Sequence, residues 1–380
     1  ASPGEGTSDA TLLGVKKIPT PMIAPITTHP ASNGPRVRGG DSLIRSVYRS
    51  PWAGMLTLVS GDRPTARRGP MNSRREGLGL MAATSAAFFV GRTNARPIAR
   101  LWTDTRDDAA AESLGLRLGT QAWTFRDRTL FEALDYAKKL GLRYVEMFPG
   151  QSLSPDERGA KVGPELSKEQ IGRLKEKLAA TGISARAFGV WNFSKDEAAG
   201  RRIFEFAKEM GIETVTCEPA MEAWDLVEKL ANEYKIDAAC HNHPKPTTYW
   251  DPAIVMNAVG KRGQRVGACA DIGHWTRSGV DAPEGLKKYE GKLKSLHFKD
   301  IKEGIDQPWG TGLTGIVAVL RELRRQKFKG LLSMEYEHGS GAELEANTAK
   351  CVAFFDQACR ELLEAEKKAA PADAPTKAGA

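Results

Sequence analysis

Five of the six histidines in this 380-residue chain fall in its last 140 residues, and each stands at the polar end of a short apolar run. "CEP" ends on Glu218, "CHNHP" carries His241 and His243, and "CADIGHW" carries Asp271 and His274. "LHFKD" brings His297 and Lys299, and "SMEYEH" brings Glu335, Glu337 and His338. Chance placement would scatter histidines over helix surfaces as well. Carboxylate and imidazole groups arriving from adjacent strand ends make the donor set of a divalent-metal site. Asp271, His297 and Glu335 are the expected ligands, with Glu218 the fourth. Mixed oxygen and nitrogen donors suit one Mn²⁺, Co²⁺, Mg²⁺ or Zn²⁺ ion, and no thiol stands where it would force zinc. Such an ion polarises a substrate carbonyl and stabilises an enediolate, while a nearby base removes the α-proton. Glu335 and His243 are the candidate bases, with Glu218 as accompanying acid. His274 and Lys299 would hold substrate hydroxyls or a developing oxyanion. Trp123, Trp191 and Trp309 are candidates for an apolar wall of the binding cleft.

A scaffold must carry these groups to one place. Between residues 114 and 364, apolar runs of strand length alternate eight times with stretches of helical period. The strand candidates are 114–121, 143–148, 183–190, 212–219, 236–243, 266–273, 293–300 and 330–337. Gly141, Gly182 and Gly211 each close a helix just before the next strand. Eight such units predict a (β/α)₈ TIM barrel, a single α/β domain whose catalytic groups sit at the C-terminal strand ends. A doubly wound open sheet would need a Gly-rich phosphate turn after the first strand, and "GTQAWTF" is not one.

The rest of the chain reads differently. Residues 1–70 are rich in Pro, Gly, Ser, Thr and Arg without apolar period, and read as a disordered or spurious upstream extension. Residues 71–100 open with Arg74 and Arg75, followed by an apolar run from Leu78 to Val90. That order resembles a twin-arginine export signal and predicts a periplasmic or otherwise exported protein, with a cytoplasmic location as the alternative. The run is too short to span a bilayer, so no stable membrane insertion is expected after cleavage. Residues 101–113 read as a linker and 365–380 as a disordered tail. The formal charge is +8, but the first 70 residues hold nine Lys/Arg against four Asp/Glu. The nearly neutral remainder argues against a nucleic-acid partner. Five cysteines without metal-ligand spacing read as small core residues.

Together "CEP", "HNHP", "DIGHW", "LHFKD" and "GLLSMEYE" resemble the sugar phosphate isomerase/epimerase family, the xylose isomerase-like barrels, over about residues 114–362. The loop "QPWGTGLTG" at 307–315 is similar to the family's Gly-rich loop. The resemblance implies one divalent metal held by Glu, Asp, His and Glu. Asp271, His297 and Glu335 match the last three. The first ligand comes from the fifth strand in the ketose epimerases, where this chain has His241 and His243 instead. Either Glu218 or a strand-five histidine completes the set, and His241 is otherwise a substrate-contacting group.

The expected function is therefore a divalent-metal-dependent isomerase or epimerase acting on a small carbohydrate. A lyase or dehydratase acting on a keto-sugar or keto-glycoside is the first alternative, and a non-catalytic carbohydrate-binding barrel the second. An apurinic-site endonuclease shares the Asp-x-x-His step of Asp271 and His274. It needs further histidines from the first three strands, where Gln121, Glu146 and Trp191 stand instead. The sequence leaves room for a homo-oligomer.

Overall fold

The computed structural model describes residues 106–369. The extension at 1–70, the signal-like segment at 71–100 and residues 370–380 lie outside the described residues. Eight parallel strands close into a barrel: β1 (Arg117–Gln121), β2 (Tyr144–Met147), β3 (Ser184–Trp191), β4 (Thr214–Cys217), β5 (Asp237–Cys240), β6 (Val266–Asp271), β7 (Leu293–Phe298) and β8 (Leu331–Met334). Each pairs with its sequence neighbours, and β8 pairs with β1 to complete the ring. This is the expected (β/α)₈ barrel.

Local chemistry sets the helix limits. Thr129 and Glu132 form a reciprocal capping box at the start of Leu130–Lys139, and Ser167 and Gln170 do the same for Lys168–Thr181. Gly182 ends the latter helix at φ 72°, where its N–H bonds the Leu178 and Ala179 carbonyls. Gly141 and Gly211 also adopt positive φ, as their spacing predicts. Four helices present strongly amphipathic faces to the barrel. In Ile316–Arg325, for instance, Ile316, Val319, Leu320 and Leu323 are buried. All five cysteines are free and buried.

Three boundaries differ from the sequence reading. The strands are four to eight residues long, and several stop short of the predicted runs. Their last residues leave the ladder to face the barrel mouth. The linker reading of 101–113 meets a short helix, Ala109–Leu114. The tail reading from residue 365 meets a final helix, Gly341–Ala369, whose Glu366 pairs with Arg324 at 2.9 Å. Between β7 and β8, a small hairpin (Ile301–Lys302 with Ile305–Asp306) precedes the Gly-rich loop. Asp300 organises that loop by accepting the backbone N–H groups of Gly310, Gly312 and Thr314 at 2.8, 2.9 and 3.1 Å. Among the described residues no helix is long and apolar enough to cross a membrane.

Candidate functional site

The strand register brings the polar ends together. Asp271 stands beside His297 across β6 and β7, and His297 beside Ser333 across β7 and β8. One ligand atom from each of His241, Asp271, His297 and Glu335 lies within 4.8 Å of the others, and all four residues are buried. His297 Nδ1 is 2.7 Å from Glu335 Oε2 and 3.8 Å from Asp271 Oδ2, and His241 Nε2 is 3.5 Å from Asp271 Oδ2. His241 Nε2 and His297 Nδ1 are buried against the carboxylates of Asp271 and Glu335, and Glu335 Oε2 also lies 2.9 Å from the Lys299 ammonium. Two imidazole nitrogens and two carboxylate oxygens gathered around one point are a donor set that fits a cation.

The opposite ring nitrogens are tied to carboxylates. His297 Nε2 is 3.0 Å from Glu146 Oε2, and His241 Nδ1 is 2.8 Å from Glu218 Oε1. Such partners fix the tautomer and aim the free nitrogen of a ligating histidine. Glu218 thus stands behind the four-residue cluster, where the sequence suggested a direct ligand. Its Oε1 also meets His243 Nδ1 at 2.5 Å, and the three side chains form a second compact group. Burial would push the Glu218 carboxyl up, but hydrogen bonds from His241 and His243 outweigh it and bring the pKa to about 2.

Glu146 was not singled out as a site residue. It is fully buried on β2, and it accepts Thr216 Oγ1 and Ser333 Oγ at 2.6 Å each besides meeting His297. Burial opposes its charge, yet His297 and these hydroxyls hold its pKa below the usual carboxylate value. An acid inside the otherwise apolar four-residue strand "YVEM" was the available signal. Asn242 also escaped notice: its side chain bonds both the N–H and the carbonyl of Asp271, at 2.9 and 3.0 Å, and pins the end of β6.

Asp271 has two duties. Oδ1 accepts the His274 N–H at 2.8 Å and caps the helix Ile272–Arg277, while Oδ2 faces the cluster. His274 therefore sits in a helical first turn, stacked on His243 with ring centroids 5.2 Å apart. Burial pushes its pKa well below the ordinary histidine value, and Lys299 adds to the effect. The Arg277 guanidinium lies 3.0 Å from His274 Nδ1 and 3.0 Å from Glu337, and also bonds Asp306.

Lys299 is fully buried. Its ammonium lies 2.8 Å from Asp271 Oδ2, 2.9 Å from Glu335 Oε2 and 3.3 Å from Glu337 Oε2. Burial disfavours the charge, but these carboxylates keep its pKa well above the usual lysine value. Gly273 is a packing requirement here: a Cβ at that position would meet Lys299 Cβ at 2.4 Å.

The tryptophans separate. Trp309 is buried among Phe298 and Phe355 as core, so it forms no wall for a substrate. Trp191 packs on Phe188. Trp123 stays 40% exposed at the mouth, edge-on to Phe148.

A family model described as a xylose isomerase-like TIM barrel matches residues 134–358. No curated protein matches the chain. Among solved structures, an uncharacterised protein from Parabacteroides distasonis is 34% identical, with a TM-score of 0.54 over 64% of this chain and 99% of its own. An L-ribulose 3-epimerase is 14% identical, with a TM-score of 0.54 over 68% of this chain and all of its own. The IolI protein, solved with a zinc atom bound, is 20% identical, with a TM-score of 0.50 over 64% of this chain and 96% of its own. The last two show likeness of fold alone. The matched span and the motifs on β4 to β8 place this chain in the xylose isomerase-like TIM barrel family.

Proposed function

We propose that this protein is a divalent-metal-dependent enzyme that moves a proton α to a carbonyl in a small sugar. The observation that carries the reading is the buried quartet His241, Asp271, His297 and Glu335, each of which brings one donor atom to within 4.8 Å of the others. A bound Mn²⁺, Co²⁺, Mg²⁺ or Zn²⁺ ion supplies Lewis acidity to a substrate carbonyl. The surrounding residues do the rest. Glu146 and Glu218 aim the ligand histidines from behind. Glu335 lies against Lys299 and His297, which hold its carboxylate well below the usual range against the opposing effect of burial. That makes it a weak base. His243 is better placed: its ring is 38% exposed, and Glu218 backs its Nδ1, leaving Nε2 free to take a proton. Lys299 and His274 stand on the other side of Asp271, where the Lys299 ammonium offsets the charge of Asp271, Glu335 and Glu337.

Isomerase chemistry is the first reading. Elimination from a keto-sugar or keto-glycoside is the second, favoured by His241 standing just after the fifth strand, where the ketose epimerases place a glutamate. Export through residues 71–100 would direct either activity to free or oxidised sugars, and fractionation of tagged full-length protein tests it.

The direct test follows α-proton exchange into keto-sugars and keto-glycosides in D₂O by NMR. We expect exchange with at least one substrate, loss on chelation, and a fall of about 10²–10⁴-fold in His243→Asn. Product structure then separates isomerisation from elimination. Carbohydrate binding without exchange anywhere in the panel would instead identify a non-catalytic binding barrel.

A further inference from the structure

We propose that the cavity on the loops after β1 and β2 is a subsite for an anionic group on the sugar. This rests on the reading above only in taking the ligand to be a sugar. The cavity has a volume of about 380 Å³, within the usual range of ligand pockets. Trp123 and Phe148 give it an aromatic side, and Arg126, Arg128, Arg158 and Lys161 give it a cationic one. Two of these charges are already met: Arg128 pairs with Glu345 at 2.8 Å, and Arg158 reaches Glu132 at 3.9 Å. Arg126 and Lys161 have no carboxylate within 4.0 Å among the described residues. Arg126 bonds only the carbonyls of Trp123 and Glu337, at 3.4 and 2.9 Å, and Lys161 bonds Ser152 Oγ at 2.9 Å. Asp127, also in the lining, is 4.0 Å from Arg128.

The two spare cations are held in place. Lys161 lies on a loop folded back on itself, with Val162 N–H on the Gln151 carbonyl and Leu153 N–H on the Ala160 carbonyl, both at 2.9 Å. Arg126 lies over the Trp123 ring, its guanidinium carbon 5.7 Å from the centroid. The cavity also opens at the same barrel end as the buried quartet. Arg126 holds the backbone of Glu337, whose carboxylate meets Lys299, and Lys299 meets Asp271 and Glu335. The quartet residues do not line this cavity; a sugar long enough to reach both would place its distal substituent beside Trp123, Arg126 and Lys161. Two uncompensated donors select a carboxylate or a phosphate there over a neutral hydroxymethyl group.

The test is calorimetric and needs no turnover. Methyl β-D-glucuronoside, a sugar 6-phosphate and methyl β-D-glucoside are titrated into full-length protein, with metal and with chelator. An anionic ligand should bind about tenfold or more tightly than the neutral glucoside. That preference should fall in 0.5 M salt, by about threefold or more, and disappear in R126Q/K161Q. Whichever anion binds tighter names the source of the charge. Lys161 is exposed, so K161Q alone, checked by its melting temperature, keeps the test valid if the double variant misfolds. Equal binding of anionic and neutral sugars, or a preference that survives both substitutions, would overturn the subsite. Absence of α-proton exchange alongside a retained anion preference would instead remove the proposed chemistry and leave the subsite standing.

Discussion

Glu146 shows how much of the site hangs on a residue that never faces the proposed ion. Its carboxylate serves His297, Thr216 and Ser333 at once. Replacing it with Gln keeps the volume but removes the charge behind His297. We expect E146Q to weaken metal binding by about 10–100-fold, read by competition with a chromophoric chelator. An unchanged affinity would mean that His297 needs no such partner. Gly273 makes a sharper steric case. An added methyl group would run into the Lys299 side chain, whose ammonium is held by three carboxylates and has little freedom to withdraw. G273A should cost about 1–3 kcal/mol, seen in the urea midpoint, and a wild-type midpoint would show that Lys299 can move aside. At this scale the sequence was informative where residue type alone carries meaning: Asp271, His297 and Glu335 stood out by kind and position. It left the choice open where orientation decides. Glu218 and His241 both sit just past their strands, and only the folded geometry turns the histidine inward and leaves the glutamate behind it. Trp309 likewise could face cleft or core, and packing on Phe298 sent it to the core.

The elements explain why the motif ends were legible and the strand limits less so. A barrel strand needs only enough residues to complete its ladder, so β4, β5 and β8 stop after four. The residues beyond them look continuous with the apolar run in sequence but bend into the mouth, which is where Glu218, His241 and Glu335 lie. The hairpin after β7 has its own electrostatics. Burial pushes the Asp306 carboxyl up to about 7, against the opposing charges of Lys299 and Arg277. Unfolded, the same group titrates near its ordinary value of 3.8. The folded state therefore binds the extra proton between these values, and this contribution to stability is lost as pH rises toward 7 and beyond. Wild type should lose stability relative to D306N from pH 5 to pH 8 in urea titrations, and a constant difference would show that Asp306 stays ionised throughout.

Over the whole molecule, the eightfold alternation was readable because each βα unit repeats one pattern, and barrel closure needs no further signal once eight are present. The helix at Ala109–Leu114 and the last turns of Gly341–Ala369 were missed for the opposite reason. Their sequences are polar or alanine-rich, and tertiary contacts hold them: Arg106 bonds Asp356 at 2.6 Å, and Arg324 bonds Glu366. The buried quartet also makes a global prediction. An ion that binds only the folded chain stabilises it by about 2.7 kcal/mol at one hundred times its dissociation constant. For a domain of this size that raises the melting temperature by about 5–10 °C. Scanning calorimetry with and without Mn²⁺, Co²⁺, Mg²⁺ or Zn²⁺ after chelator stripping would read it, and no shift with any of them would count against the proposed ion.

The divided carboxylate of Asp271 has a consequence for how this barrel can diversify. One oxygen starts a helix and the other belongs to the quartet, so two selective pressures act on a single codon. Serine or threonine would preserve the helix start and forfeit the charge. Glutamate would keep the charge but carry it a methylene further from the backbone it caps. Asparagine alone retains the cap with a neutral second atom. Descendants that abandon the ion while keeping the scaffold should therefore pass through asparagine at position 271, and a survey of family sequences lacking the other donors would reveal that route.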